Sequence, residues 1–381
     1  MRKILSNRWL RNPFCVAVAI LMFDAAPRVF GSIPVMKIDS DITTNQVWNN
    51  KTAYYIMKDI GLKALLVIEP GTTVINGPNG GLFVSHGGTL IAEGTPDKPV
   101  IFTFDDLYFN FPKEVGYYWQ RLASKVSHGP YSYCPIVVTP TASIATTIRY
   151  CMIEGADTGI LIMDIRLKHP IENNYLCGNN TGICEIGPRL TDIRNNLCFY
   201  NDAGIAIWLQ NVEDLPDPDF TLKIENNTCD SGRSNGIGIQ GVSKPDKAPG
   251  VALINNIVSN YDQYGLNLVG EFKRLTIRNT GYYGNRANIN IEYMFDEENP
   301  IKTDQYPFTP VAGSNAFPGG PWAHHYLKPD CPFVDAGDEL VENTPYKGMS
   351  TNANGSPDKD KVDLGFHRID WKRKSTSDRQ P

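Results

Sequence analysis

Positive charge is in short supply. The 381-residue chain sets 36 Lys and Arg against 41 Asp and Glu, a formal charge of −5. No basic field exists to gather phosphates, so nucleic acid is not an expected partner. No Gly-rich phosphate loop opens a helix anywhere, which disfavours a nucleotide-using enzyme. The 6 histidines are scattered, at 86, 128, 169, 324, 325 and 367, and none has a metal-ligand spacing such as His-Glu-x-x-His. Long hydrophobic runs are missing too. The apolar run from Phe14 to Phe23 falls short of the roughly 20 residues that span a bilayer.

That run has the setting of a secretory leader. Arg2, Lys3, Arg8 and Arg11 precede it and the small residues Ala25 and Ala26 follow, so residues 1–31 are expected to be a signal peptide and the protein secreted, periplasmic or at the cell surface. Cys15 lies inside the run rather than behind a cleavage box, which argues against lipid attachment. The 8 cysteines are too few for a dense disulfide framework, although Cys134 and Cys331 remain a pair able to bridge.

Turn formers are plentiful, with 33 Gly and 27 Pro, and they suit short strands better than helices. An apolar residue followed two positions later by Asn recurs as Ile171-Glu-Asn-Asn, Ile193-Arg-Asn-Asn, Ile224-Glu-Asn-Asn, Leu253-Ile-Asn-Asn and Ile277-Arg-Asn-Thr, after a degenerate Ile148-Arg-Tyr-Cys. The frames lie 22 to 31 residues apart, a solenoid period. Eight to ten or so residues into each frame a polar turn leads into Gly and alternating aliphatics, as in Gly159-Ile-Leu-Ile, Gly204-Ile-Ala-Ile and Gly265-Leu-Asn-Leu. The expected coil has two strands and two turns, with Gly supplying a conformation that other residues resist. Asn173, Asn195, Asn226, Asn255 and Asn279 would stack as an amide ladder, and Cys198 and Cys229 as buried fillers.

The expected architecture is all-β: a single-stranded right-handed parallel β-helix with N- and C-terminal caps. Residues 32–146 would hold the N-terminal cap, first coils and an aromatic insertion over 107–143, residues 147–299 the core coils, and 300–371 the C-terminal cap. The polar tail, 372–381, is expected to be disordered. Ile68-Glu-Pro-Gly-Thr, the Gly87 to Pro96 segment, Pro99-Val-Ile-Phe-Thr and the closing Val362-Asp-Leu-Gly-Phe-His resemble secreted bacterial right-handed β-helix proteins of the pectate-lyase-like fold, over most of residues 45–370. That resemblance implies fold rather than chemistry. The Asn-Thr-Asp, Asp-Asp and Gly-His-Gly set of polygalacturonases and the Arg-x-Pro-x-x-Arg of pectate lyases are both missing, so no enzyme family matches and no catalytic residue carries over.

Three features bear on function. Asp157 and Asp202 hold one position two coils apart, about 9.6 Å by strand spacing, near the upper limit of inverting glycosidase pairs; the competing reading is that Asp is a favoured turn residue. Glu213, Asp214, Asp217 and Asp219 form an acidic loop with the oxygen ligands Ca²⁺ takes, or simply solvated loop charge. Trp119, Tyr118, Tyr131 and Trp208 offer faces for stacking on sugars, or for packing a flap. Asn352 to Asp363 spaces oxygens like an EF-hand loop, with Pro357 where that turn needs Gly. The expectation is a monomer that binds or processes a polysaccharide, as lyase or hydrolase, in a groove along one sheet face. The alternative is a non-catalytic surface or matrix protein.

Overall fold

A computed structural model describes residues 33–104, 134–210, 219–242, 249–291, 297–309, 325–352 and 356–369. The expected leader and tail lie outside these residues. The chain forms a right-handed parallel β-helix built from three all-parallel sheets. Sheet I has eleven strands, from Val35–Ile38 to Ile301–Lys302; sheet II has nine, from Ile60–Leu62 to Ala287–Ile291; sheet III has nine, from Gln46–Trp48 to Leu275–Arg278. Each coil visits III, then I, then II.

Three strands per coil corrects the two-strand expectation. The missed strands, such as Tyr175–Cys177 and Leu197–Phe199, begin directly after the Asn pair. The bend from sheet III into sheet I uses one residue in the left-handed region, with φ of 58°, 50°, 54°, 56° and 51° at Asn173, Asn195, Asn226, Asn255 and Asn279. Asn tolerates that conformation, so the corner carries neither Gly nor Pro as a marker. The aromatic insertion is also shorter than expected: Ile136–Val138 is a regular sheet II strand paired with Leu82–Val84 and Ile160–Ile162.

The interior is filled by aligned aliphatics. The frame residues Ile148, Ile171, Ile193, Ile224, Leu253 and Ile277 are fully buried, as are Ile160, Ile183, Ile205, Ile237 and Leu266 of sheet II. Cys198 and Cys229 stack between them as buried neighbours. All seven described cysteines are free. Cys134 sits on the outside of sheet II and Cys331 in a cluster with Phe308 and Phe333, so these two do not bridge.

Two asparagine ladders run up the corner, not one. The second Asn of each frame turns inward: Asn196 Oδ1 accepts from the backbone N–H and the amide of Asn174 at 3.0 and 3.1 Å. Asn227 Oδ1 does the same for Asn196 at 2.9 and 3.0 Å, and Asn256 Oδ1 for Asn227 at 2.9 and 3.2 Å. Each amide also donates to a frame carbonyl, such as Asn227 Nδ2 to Ile193 O at 3.0 Å. The left-handed asparagines form an outer ladder, with Asn195 donating to Asn173 at 2.7 Å and Asn279 to Asn255 at 3.2 Å.

Strand glycines also have a different cause from the one expected. Gly159, Gly182, Gly204, Gly236 and Gly265 lie outside the positive-φ set. A Cβ on any of them would fall 2.5 to 2.7 Å from a carbonyl oxygen of the next coil, so close backbone approach excludes a side chain.

After Ile301 the chain returns along the outside of sheet I. Phe308, Leu327 and Phe333 pack on Ile257, and Phe366 joins Met152, Tyr175, Leu197 and Phe199. The final segment grips the outer asparagines. Asn195 exchanges two bonds with the His367 backbone, at 2.6 and 2.7 Å, and Asn226 donates to Asp363 O at 3.2 Å. Gly365 is required there, since its φ is 78° and a Cβ would lie 2.4 Å from Thr228 Oγ1.

Replacing Asn227 by Ala orphans the Asn196 N–H and the Ile193 carbonyl inside the coil, each costing about 1–3 kcal/mol. We expect Asn227→Ala to lower unfolding free energy by about 3 kcal/mol in urea titrations, whereas Asn279→Ala, near the end of the outer ladder, costs clearly less. Asp363 provides a pH test. Burial, aided by Asp358, lifts its carboxyl from 3.8 to about 6. The raised value means that the site's full contribution is present below about pH 4 and is lost as pH rises through about 6. Melting temperatures recorded from pH 4 to 8 should therefore fall less steeply for Asp363→Asn than for the parent.

Candidate functional site

The outward face of sheet II carries the exposed Trp208 among uncharged side chains. Alternation along each strand sends every second side chain outward, and in-register stacking lines these up in columns. One column reads Phe83, Val137, Leu161, Cys184, Ala206, Gly238, Asn267, Asn290. A second reads Met163, Ile186, Trp208, Gln240, Val269, and a third includes Thr158, Thr181 and Ala203, then Asn235, Tyr264 and Ala287. None of these side chains is charged.

The columns change character along the helix. The first coils are apolar and closed to solvent, with Val137 at 0% and Leu161 at 3% exposure. At Ala206 the face opens. Trp208, at 53%, is the only exposed aromatic among the described residues. Its strand partners are Ile186 and Gln240, and Ala206 and Gly238 leave the adjacent floor low. Asn290 donates to Asn267 at 2.7 Å. Asn235 donates to Ser234 at 3.1 Å, while its Oδ1 has no hydrogen-bond partner.

Asp157 and Asp202 flank this face, in the corner between sheets I and II. Thr181 N–H donates to Asp157 O and Ala203 N–H to Asn180 O, which places the two Asp two coils apart with Asn180 between, as expected. Their side chains are engaged. Asn180 donates to Asp157 Oδ1 at 3.1 Å, and both oxygens of Asp202 are held by Arg233 in a bidentate pair. A carboxylate committed to a fork of this kind is a turn brace rather than a ready base. At the opposite corner Arg189 closes a similar bidentate pair on Asp164, at 3.1 and 2.9 Å.

Trp119, Tyr118, Tyr131, Glu213, Asp214 and Asp217 lie outside the described residues. Asp219 occupies an exposed turn, its carbonyl accepting from Arg274 at 2.7 Å. No group of three or more His, Cys, Asp or Glu able to hold a metal occurs among the described residues. In the EF-hand-like stretch, Asp363 accepts from the Asp335 N–H at 2.6 Å and from Thr351, Asp358 Oδ1 accepts from Thr351 N–H at 3.1 Å, and Asp358 Oδ2 faces His367 at 3.0 Å. These oxygens serve the fold of the loop.

Two buried polar features escaped the sequence reading. Asp230, on the outer side of sheet I, accepts from Ser259 at 2.6 Å and Asn260 at 2.8 Å, and its second oxygen meets His325 at 3.1 Å and the Tyr306 hydroxyl at 3.5 Å. His325 lies edge-on to Phe199 and Phe308. This network pins the returning chain to sheet I, and no motif spacing links residues 95 positions apart. Glu185 points into the core between Ile162 and Ile207. It is fully buried, with one oxygen accepting from Thr191 N–H at 3.1 Å and the other unpartnered. Its alternation, Gly182-Ile-Cys-Glu-Ile, does mark it as inward.

Residues 124–281 match the family of right handed beta helix regions, so this part of the chain is similar to that family and agrees with the fold. No curated protein and no solved structure matches. No helix among the described residues is long and apolar enough to cross a membrane.

Burial pushes the Glu185 carboxyl well above its usual range. Its neutral form is the folded form, so stability is full at acid pH and declines as pH rises above about 4.3, the unperturbed value. Glu185→Gln keeps the Thr191 bond without the ionisation. Denaturant midpoints of the two proteins should lie close together at pH 4 and separate by pH 8, with the variant the more stable; a constant difference across that range would refute the assignment.

Proposed function

We propose that this β-helix binds an extended polysaccharide along the outer face of sheet II, outside the cytoplasm. The observation that carries the reading is Trp208, exposed at 53% on a flat, uncharged, amide-bearing sheet. An indole in water is costly to leave uncovered, and its flat face suits the apolar face of a sugar ring. Gln240 beside it, and Asn235, Asn267 and Asn290 farther along, supply donors and acceptors for hydroxyls. A face whose chemistry is laid out coil by coil along the helix axis fits a polymer better than a small ligand. The leader-like segment up to Ala26 supports export. Binding is favoured over cleavage by the Asp157 and Asp202 pair because Arg233 holds both Asp202 oxygens.

Affinity electrophoresis of the mature chain in gels containing a panel of neutral and acidic polysaccharides tests this. Retardation by at least one polymer is expected, with no new reducing ends and no unsaturated product. Trp208→Ala should weaken that binding by about 2 kcal/mol, roughly thirtyfold in Kd, with melting temperature unchanged. Migration unaffected by every polymer would overturn the proposal. Reducing ends lost on Asp157→Asn would replace binding with hydrolysis at the carboxylate pair.

A further inference from the structure

Gly238 is unlike the other glycines of sheet II. Gly159, Gly182, Gly204, Gly236 and Gly265 have no room for a Cβ, which would meet a carbonyl oxygen at 2.5 to 2.7 Å. A Cβ on Gly238 would meet only the Asn235 side chain, at 3.7 to 4.0 Å. Its φ is not among the positive values. Nothing in the fold calls for glycine there, yet glycine inside a strand costs about 0.5–1 kcal/mol relative to alanine. Glycine in such a position marks close approach by something else.

The surroundings identify what approaches. Gly238 aligns with Ala206 and lies two residues before Gln240, the strand partner of Trp208. One side of the indole therefore borders a floor with almost no side chain. Asn235 borders the gap with its amide nitrogen, 3.7 Å from a Cβ at 238, and its buried Oδ1 has no hydrogen-bond partner. Among the described residues the outward columns from Phe83 to Asn290 carry no charge, and at the two corners Asp202 with Arg233 and Asp164 with Arg189 are closed on each other. A polyuronate would shed hydration here and gain no counter-charge.

Resting on the polysaccharide reading, we infer that Gly238 is the floor of a subsite for one uncharged pyranose ring, stacked against Trp208 and hydrogen-bonded by Gln240 and Asn235. The missing side chain at 238 is the clearance that lets the ring reach the indole, and the missing charge makes neutral polymers the substrate class.

The test uses Gly238→Ala and Gly238→Val in the otherwise intact mature chain, against a neutral β-glucan, mannan and galactan and against alginate and polygalacturonate. Both variants should melt at or above the parent temperature, since valine favours strands. Gly238→Val should lose about tenfold or more in affinity for the neutral polymer that the parent binds, with Gly238→Ala between. Parent-like affinity in Gly238→Val overturns the subsite and leaves the polysaccharide reading standing. Preferential binding to alginate or polygalacturonate, weakened by salt, overturns the uncharged class. A parent that binds none of these polymers, neutral or acidic, overturns both.

Discussion

Every coil must satisfy a backbone that turns sharply inside a protein, and in the coils from Asn174 to Asn256 the inward asparagine does this. A strand-to-strand bend made by one left-handed residue leaves an N–H and a carbonyl facing the interior, where an unpaired polar group costs about 1–3 kcal/mol. Asn174, Asn196, Asn227 and Asn256 each accept from the coil before and donate to a frame carbonyl. Because each amide needs its neighbour at the same height, the ladder forces register. The aligned Ile and Leu columns, the glycines that touch carbonyls and the outward columns all follow from that register.

Register then turns the outer surface into ruled lines whose chemistry depends only on which residue each coil contributes. On sheet III the line alternates in sign: Glu93, Arg149, Glu172, Arg194, Glu225. Arg149 meets Glu93 and Glu172, and Arg194 meets Glu225. Such surface pairs are each worth about 0–1 kcal/mol, but a slipped coil would separate the partners, so they reinforce the ladder. On sheet II the lines are uncharged, passing from apolar to amide at the level of Trp208. The two faces differ in the residues set on equal scaffolds: charge specifies alignment on one, and neutral side chains line the other.

The parts visible in the sequence are those that repeat. Ile171, Ile193 and Ile224 announce the coil because each must fill the same interior place, and Gly182 and Gly204 recur because backbone crowding recurs. The paired Asn was visible, but the two members could not be told apart, since residues adjacent in sequence differ only by which side of a left-handed bend they fall. The sheet I strands were missed for the same reason: the corner bends without Gly or Pro. Trp208 was legible as an aromatic at a strand exit. Its low floor was hidden by Gly238, which sits in the same Gly-Ile-Gly-Ile run as Gly236 and differs only in what surrounds it.

What repeats least is the return of the chain after Ile301, and there single contacts replace ladders. The outer asparagines, left over once the inner ladder is satisfied, provide its docking line: Asn195 holds His367 and Asn226 holds Asp363, while Asn255 holds Asp338 at 3.0 Å. A segment so attached covers the apolar outer side of sheet I, where Leu197, Phe199 and Ile257 would otherwise face water. Among the described residues, this division leaves the outer face of sheet II free of the returning strap. The same bend that makes each coil possible thus decides which side the described strap covers.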